Sequence, residues 1–205
     1  MSDNPTEIPS EITWSQFLIS AGIVEGGLLL VAFGGGWLTG CGPLDRLEFN
    51  ARDLGLGVLA TFPMLVLLVI CLVSKSSGML AVRRLVRNLV GPILHRCRMI
   101  DIVLLALLAG ICEEAAFRGF LYFWIERWNP FLAVFIVNLL FAAAHAVTPT
   151  YALLSGFLGL YLTALVASDA TPNLLIPITA HALYDFAAFL VVRADYRRHG
   201  LSNVE

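Results

Sequence analysis

Long apolar runs separated by short polar stretches make up most of this chain. Each run is roughly 20 residues long, which is the length that an α-helix needs to cross the hydrocarbon core of a bilayer. The pattern therefore predicts an all-α, polytopic membrane bundle of about six transmembrane helices. The predicted spans are 17–38, 54–73, 102–125, 131–147, 151–167 and 174–192.

The composition agrees with this class. Hydrophobic residues make up 59% of the 205 residues and charged residues 14%, which is far from an ordinary soluble domain. Six spans with short connections nearly fill the chain, so we expect a single integral-membrane domain over 1–205. The net charge of −2 and the lack of a basic patch with interleaved aromatics give no indication of a nucleic-acid partner. No pattern in the sequence calls for a cofactor.

One segment, 79–98, combines spaced apolar residues with basic ones and contains no acid. It reads as an amphipathic interfacial segment, divided near Pro92, whose basic face lies against anionic lipid headgroups. A basic loop without fixed structure is the alternative. Either form belongs on the cytoplasmic side. Its arginines are Arg83, Arg84, Arg87, Arg96 and Arg98.

Lysines and arginines outside the spans predict the orientation. With both termini in the cytoplasm, nine basic residues lie inside and three outside, as the positive-inside rule prefers. We therefore expect a multi-pass protein of the cell membrane, N-in and C-in. The N-terminal Asp3, Glu7 and Glu11 come without Lys or Arg, unlike a secretory signal, so we expect the first span to be retained. The cytoplasmic set is Lys75, Arg83, Arg84, Arg87, Arg96, Arg98, Arg193, Arg197 and Arg198, and the outer set is Arg46, Arg52 and Arg127.

Three charges interrupt the third span: Glu113, Glu114 and Arg118. An ionisable group at this depth costs about 3 kcal/mol on insertion scales, so chains seldom keep one without a use. Glu114 and Arg118 are four residues apart on one helical face and can neutralise each other. Glu113 is turned about 100° away and has no local partner.

Other spans carry polar groups too. Asn138, Phe141 and His145 share one face of the fourth span, and His181 and Asp185 share one face of the sixth. The fifth span looks like a packing helix. A carboxylate with two imidazoles can activate a water molecule and stabilise the oxyanion that forms when the water attacks a carbonyl group.

The first span holds one acid, Glu25, with no basic residue one helical turn away. It either faces the polar interior of the bundle or lies near a helix end, and the sequence leaves both open.

Taken together, Glu113-Glu114-x-x-x-Arg118, Phe141-x-x-x-His145 and His181-x-x-x-Asp185 resemble the three motifs of the CPBP family of glutamic intramembrane proteases. That family includes the type II CAAX prenyl endopeptidases and the Abi proteins of bacteriocin processing and immunity. The resemblance covers about 112–186, within a motif-bearing core of about 100–192. It implies an intramembrane endopeptidase acting on a membrane-anchored or prenylated, CAAX-type substrate.

The resemblance also implies roles. Glu113 would be the general base that takes a proton from water, and His145 would hold that water. His181 and the residue at 185 would stabilise the oxyanion. We expect Glu114, Arg118, Asn138 and Phe141 to support the site.

Position 185 departs from the prenyl endopeptidases, which carry Asn where this chain has Asp185. An ionised Asp cannot donate a hydrogen bond to an oxyanion. Asp185 is either protonated in its apolar surroundings or orients a histidine and leaves His181 as the only donor.

The residues leave open three alternatives to a metal-free intramembrane peptidase. Glu113, His145, His181 and Asp185 could hold Zn²⁺ with an open position for water. Carboxylate and histidine chains also serve as proton relays in proton-coupled transporters. The third alternative is a non-catalytic scaffold or immunity protein.

The predicted spans lead to one geometric difficulty. Counting the helical rise per residue from the cytoplasmic end of each span places His145 much less deep in the membrane than Glu113 and His181. Either the third span starts well outside the hydrocarbon, or the 146–150 turn dips into the bundle, where it must line a watery cavity.

Overall fold

The computed structural model describes residues 14–168 and 170–200, and within these ranges it contains helices and connections but no strand. The predicted domain 1–205 extends past them, and Asp3, Glu7 and Glu11 lie outside the described residues. The helices are α1 (Trp14–Thr39), α2 (Ala51–Val73), α3 (Ser77–Leu89), α4 (Gly91–Arg96), α5 (Met99–Glu114), a π-helical segment (Ala115–Tyr122), α6 (Phe123–Glu126), α7 (Pro130–Ala144), α8 (Pro149–Ala167) and α9 (Leu175–His199).

Four helices in the described part of the chain, α1, α2, α8 and α9, are long and apolar enough to cross a membrane. They expose large apolar side chains outward: Trp37 is 84% exposed, Phe62 68% and Phe157 65%. Water would penalise such surfaces heavily, whereas lipid tails would not. The predicted all-α polytopic membrane bundle is confirmed, while the count of six spans and the N-in orientation stay predictions.

The third predicted span is one uninterrupted helical run from α5 through the π-helical segment to α6. The sequence did not predict the π-helical part, which begins directly after Glu114. Seven of its eight residues are buried, all but Leu121. π-Helical turns are rare and frequently mark functional sites.

The fourth predicted span is shorter than expected, so the bounds 131–147 were wrong at their C-terminal end. Asn129 caps the start of α7 by accepting from the backbone N–H of Leu132, and the helix ends at Ala144 with His145 as its C-cap. Its 15 residues reach about 22 Å, short of the ~30 Å hydrocarbon core. The helix ends beside Glu113, whose Oε2 lies 3.8 Å from His145 Nε2, so the following turn starts next to the middle of the third predicted span. This arrangement matches the second solution to the depth difficulty.

The basic segment 79–98 is helical, so the unstructured alternative was wrong. It forms most of α3 and all of α4, which meet at Val90, and Pro92 lies in the first turn of α4 as predicted. Arg83 donates to the backbone carbonyls of Leu72 and Ser74 at the end of α2. That arginine therefore ties α3 to α2 by binding carbonyls that the helix leaves unpaired.

Helix α9 is the central element, since it packs against α2, α4, α5 and α8. Gly57 allows the close approach of α2, because a Cβ there would meet Thr179 and the carbonyl of Ile176. A second close approach brings the π-helical segment against the connection between α1 and α2, where a Cβ on Gly119 would overlap the carbonyl oxygen of Pro43.

The contact at Gly119 gives a prediction for folding. Gly119→Ala should lower the free energy of unfolding by about 1–3 kcal/mol, because the backbone of Pro43 would have to move. Gly34→Ala is the matched control, since a Cβ at Gly34 has nothing within 4 Å. Thermal unfolding of the purified proteins in detergent measures both. A Gly119→Ala protein as stable as the Gly34→Ala protein would contradict the predicted overlap.

Candidate active site

The centre of the site is a buried ion pair. Arg118 Nη1 donates to Glu114 Oε1 at 2.8 Å, and both side chains are 0% exposed. The pairing predicted from the four-residue spacing is therefore present. Neither charge reaches solvent, so each depends on its protein partners for stabilisation.

Arg118 has further partners on neighbouring helices. Its Nη2 donates to the carbonyl of Gly159 at 2.8 Å and its Nε to Thr163 Oγ1 at 3.3 Å. The guanidinium carbon lies 4.4 Å from the centre of the Phe141 ring, within the range of a cation–π contact. Asn138 accepts a hydrogen bond from Thr163 at 3.3 Å. The predicted supporting residues thus form one contact network that includes α5, the π-helical segment and α7, and that reaches α8.

The same carboxylate also orients a histidine. His181 Nδ1 lies 2.8 Å from Glu114 Oε1, the oxygen that accepts from Arg118. A carboxylate paired with an arginine is an acceptor, so the Nδ1–H of His181 donates to it and the ring position is fixed. The other ring nitrogen, Nε2, lies 3.6 Å from Asp185 Oδ2.

Glu113 faces a second histidine. Its Oε2 lies 3.8 Å from His145 Nε2, and among the described residues this buried oxygen has no hydrogen-bond partner. His145 Nδ1 lies 2.9 Å from the carbonyl of Phe141. A carbonyl only accepts, so Nδ1 carries a proton, and in the neutral ring Nε2 is an acceptor that faces Glu113.

Two cavities meet at these side chains. The smaller one, ≈ 240 Å³, is lined by Glu113 and by residues from α1, α4, α8 and α9. The larger one, ≈ 500 Å³, runs between α2, α3, α8 and α9 and is mostly apolar. Residues common to both include His145, Tyr151, His181 and Asp185. The four predicted catalytic residues, from three separate spans, therefore come together around connected space.

Two polar residues outside the predicted catalytic set, Glu25 and Tyr151, also line the smaller cavity. Glu25 faces the interior, which resolves the alternative left open by the sequence, and among the described residues its buried Oε2 has no hydrogen-bond partner. Tyr151 was missed, because the fifth span reads only as a packing helix. A charge inside an apolar run was the signal for Glu25. A tyrosine in such a run is too common to be one.

The zinc alternative requires at least three ligands around one point. Within 14–168 and 170–200, no group of three or more His, Cys, Asp or Glu side chains is placed to hold a metal ion. The residues Glu113, His145, His181 and Asp185 do not fit a zinc site in this arrangement.

Comparison with known proteins identifies the motif-bearing part of the chain. Residues 96–187 match the family model described as type II CAAX prenyl endopeptidase Rce1-like. Among curated proteins and solved structures, none matches the chain. The matched range includes all three motifs and every residue of the Glu114 network.

The Glu114 network gives a second prediction. Glu114→Gln should strongly reduce the yield of folded protein, because it leaves the Arg118 charge buried without a counter-charge, at a cost of about 3–5 kcal/mol. Glu113→Gln, the same change one residue earlier, should fold normally. Gel filtration of the two detergent-solubilised variants makes the comparison. Equal folded yields would contradict the claim that the buried pair stabilises the bundle.

Proposed function

We propose that this chain, a member of the CAAX protease family through the match of residues 96–187 to the Rce1-like type II CAAX prenyl endopeptidases, is a glutamic, metal-independent intramembrane endopeptidase. The observation that carries the mechanism is the facing pair of Glu113 Oε2 and His145 Nε2, 3.8 Å apart at the edge of a cavity.

The proposed first role is activation of water. A separation of 3.8 Å is too long for a direct hydrogen bond between the two groups, but a water molecule bound beside both could donate one hydrogen to each acceptor. Glu113 then acts as general base: it takes a proton as the water oxygen bonds to the scissile carbonyl carbon. His145 holds the second hydrogen and so orients the attacking oxygen.

The second role is stabilisation of the oxyanion. As the carbon–oxygen bond forms, the carbonyl π electrons move to the carbonyl oxygen, which becomes negative. His181 can donate to this oxygen from Nε2 only if both of its nitrogens carry protons, one for Glu114 and one for the oxyanion. When the intermediate collapses, the carbon–nitrogen bond breaks, and the proton held by Glu113 passes to the leaving amine.

The shape and lining of the larger cavity favour a substrate that carries a hydrophobic chain. Its apolar lining, its ≈ 500 Å³ volume and its extension to His181 and Asp185 suit a hydrophobic chain bound beside the scissile bond. A CAAX-type substrate supplies a prenyl group and aliphatic residues. The cavity is also lined by Arg83 and Arg87 of α3, which the predicted orientation places at the cytoplasmic face of the cell membrane.

The base assignment predicts that Glu113→Gln lowers kcat at least about 100-fold, because an amide cannot accept the proton of water. The assay follows cleavage of a fluorogenic peptide with a farnesylated Cys by purified protein in detergent. Glu126→Gln, near the end of the same helical run, is the control and should keep wild-type activity. A folded Glu113→Gln protein that cleaves at the wild-type rate would rule out Glu113 as the base.

Metal independence is checked separately. Wild-type protein dialysed against a strong zinc chelator should keep its activity, since the proposed nucleophile is a water molecule activated by Glu113. Metal analysis accompanies the assay. About one equivalent of bound zinc, with activity lost on its removal and restored on its return, would instead support the zinc protease alternative.

A further inference from the structure

An ionised Asp185 leaves the proposed oxyanion site short of a donor. Its Oδ2 lies 3.6 Å from His181 Nε2, the ring nitrogen that Glu114 does not bind. A carboxylate beside a ring N–H serves as an acceptor, and an ionised carboxylate has no hydrogen to donate. Oxyanion sites normally combine donors, and the loss of one costs about 10²–10³-fold in rate. An additional donor must therefore come from another residue that lines the same space.

Tyr151 is placed to be that donor. It lies in the first turn of α8 and lines both cavities together with His145, His181 and Asp185. Its ring centre is 6.2 Å from that of His145. Among the described residues the phenol has no hydrogen-bond partner. A phenol O–H is a good donor, so it is free to bind a group that enters the cavity.

The position of Tyr151 is well fixed. Its backbone N–H donates to Thr148 Oγ1 at 3.1 Å, which caps α8, and its carbonyl accepts from Ser155 Oγ at 2.9 Å. The cap sets where α8 begins after the turn that carries His145. Only a short, capped connection therefore separates Tyr151 from His145, the residue that would hold the water.

We propose that the Tyr151 phenol is an oxyanion donor, a further catalytic residue that performs here the task of the amide at position 185 in the prenyl endopeptidases. This inference rests on the proposed peptidase function. Carbonyl oxygen bound between the phenol and His181 Nε2 would receive two hydrogen bonds as it becomes negative. Asp185 then need not donate, and its carboxylate lies 3.6 Å from the ring that carries both protons.

The first test is Tyr151→Phe, which removes one oxygen atom and keeps the ring. With the farnesylated fluorogenic peptide, kcat should fall about 10²–10³-fold while KM changes little. Tyr161→Phe is a matched control on the same helix, since that phenol donates to the carbonyl of Ala60 at 2.8 Å, and its activity should stay at the wild-type level. A Tyr151→Phe protein with wild-type kcat would overturn the inference.

The second test uses position 185. Asp185→Asn supplies an amide donor, so it should raise the kcat of the Tyr151→Phe protein about tenfold or more. In the background that keeps Tyr151, the same substitution should raise kcat far less. A purely structural role for Tyr151 predicts the same factor in both backgrounds, and that result would overturn the inference. Loss of folded yield in Tyr151→Phe would also overturn it, because the phenol would then have had a partner.

The wild-type assay separates this inference from the function on which it rests. If wild-type protein does not cleave the peptide, the peptidase function fails and the inference fails with it. If the wild type cleaves and Glu113→Gln does not, the function stands, and the Tyr151 variants then decide the inference alone.

Discussion

The arrangement depends on one oxygen atom, Oε1 of Glu114, which accepts from both Arg118 and His181 at 2.8 Å. Its carboxylate is 0% exposed, so an ionised Glu114 needs the charge of Arg118 for stabilisation. The arginine in turn binds the carbonyl of Gly159 on α8. A single buried charge network thereby connects the third span to α8 and α9. Replacing its members singly is costly because each leaves another without a partner.

The network also determines where Glu113 points. Adjacent residues on a helix are about 100° apart, so Glu114 facing α9 leaves Glu113 directed toward a different neighbour, His145. The early end of α7 is the complementary requirement. The helix ends at Ala144, and its C-cap residue, His145, has Nε2 3.8 Å from Glu113 Oε2. The proposed chemistry thus combines a rigid charge network with one shortened helix.

Local sequence patterns predicted the long helices, the buried ion pair and four of the site residues. The apolar runs predicted the long helices because burial in lipid tolerates few charges, and the Glu114–Arg118 pair followed from helical spacing alone. Proline and arginine placement likewise predicted the division of the basic segment at Pro92. Four site residues followed from motif resemblance, and the structure brings them around connected cavities.

Other features depend on contacts between distant segments, and spacing cannot reveal them. The hydrogen bond between His181 and Glu114 joins residues 67 positions apart, so no helical period predicts it. The π-helical segment packs its Gly119 against the distant backbone of Pro43, and α7 ends at Ala144 although the apolar run continues past it. Tyr151 reaches the site because α8 begins directly after the turn that follows His145, and there it lines the same cavities as Asp185.

We infer that the Glu114 network orients His181 for catalysis as well as stabilising the fold. The double variant Glu114→Leu/Arg118→Met tests it most directly, because replacing both charges with apolar side chains removes the burial cost and the acceptor for His181 Nδ1 together. Steady-state cleavage of the farnesylated peptide is the measurement, on protein shown to be folded by gel filtration. We predict folded protein whose kcat is at least about 100-fold below wild type. A folded double variant with wild-type kcat would show that catalysis does not need Glu114 to orient His181.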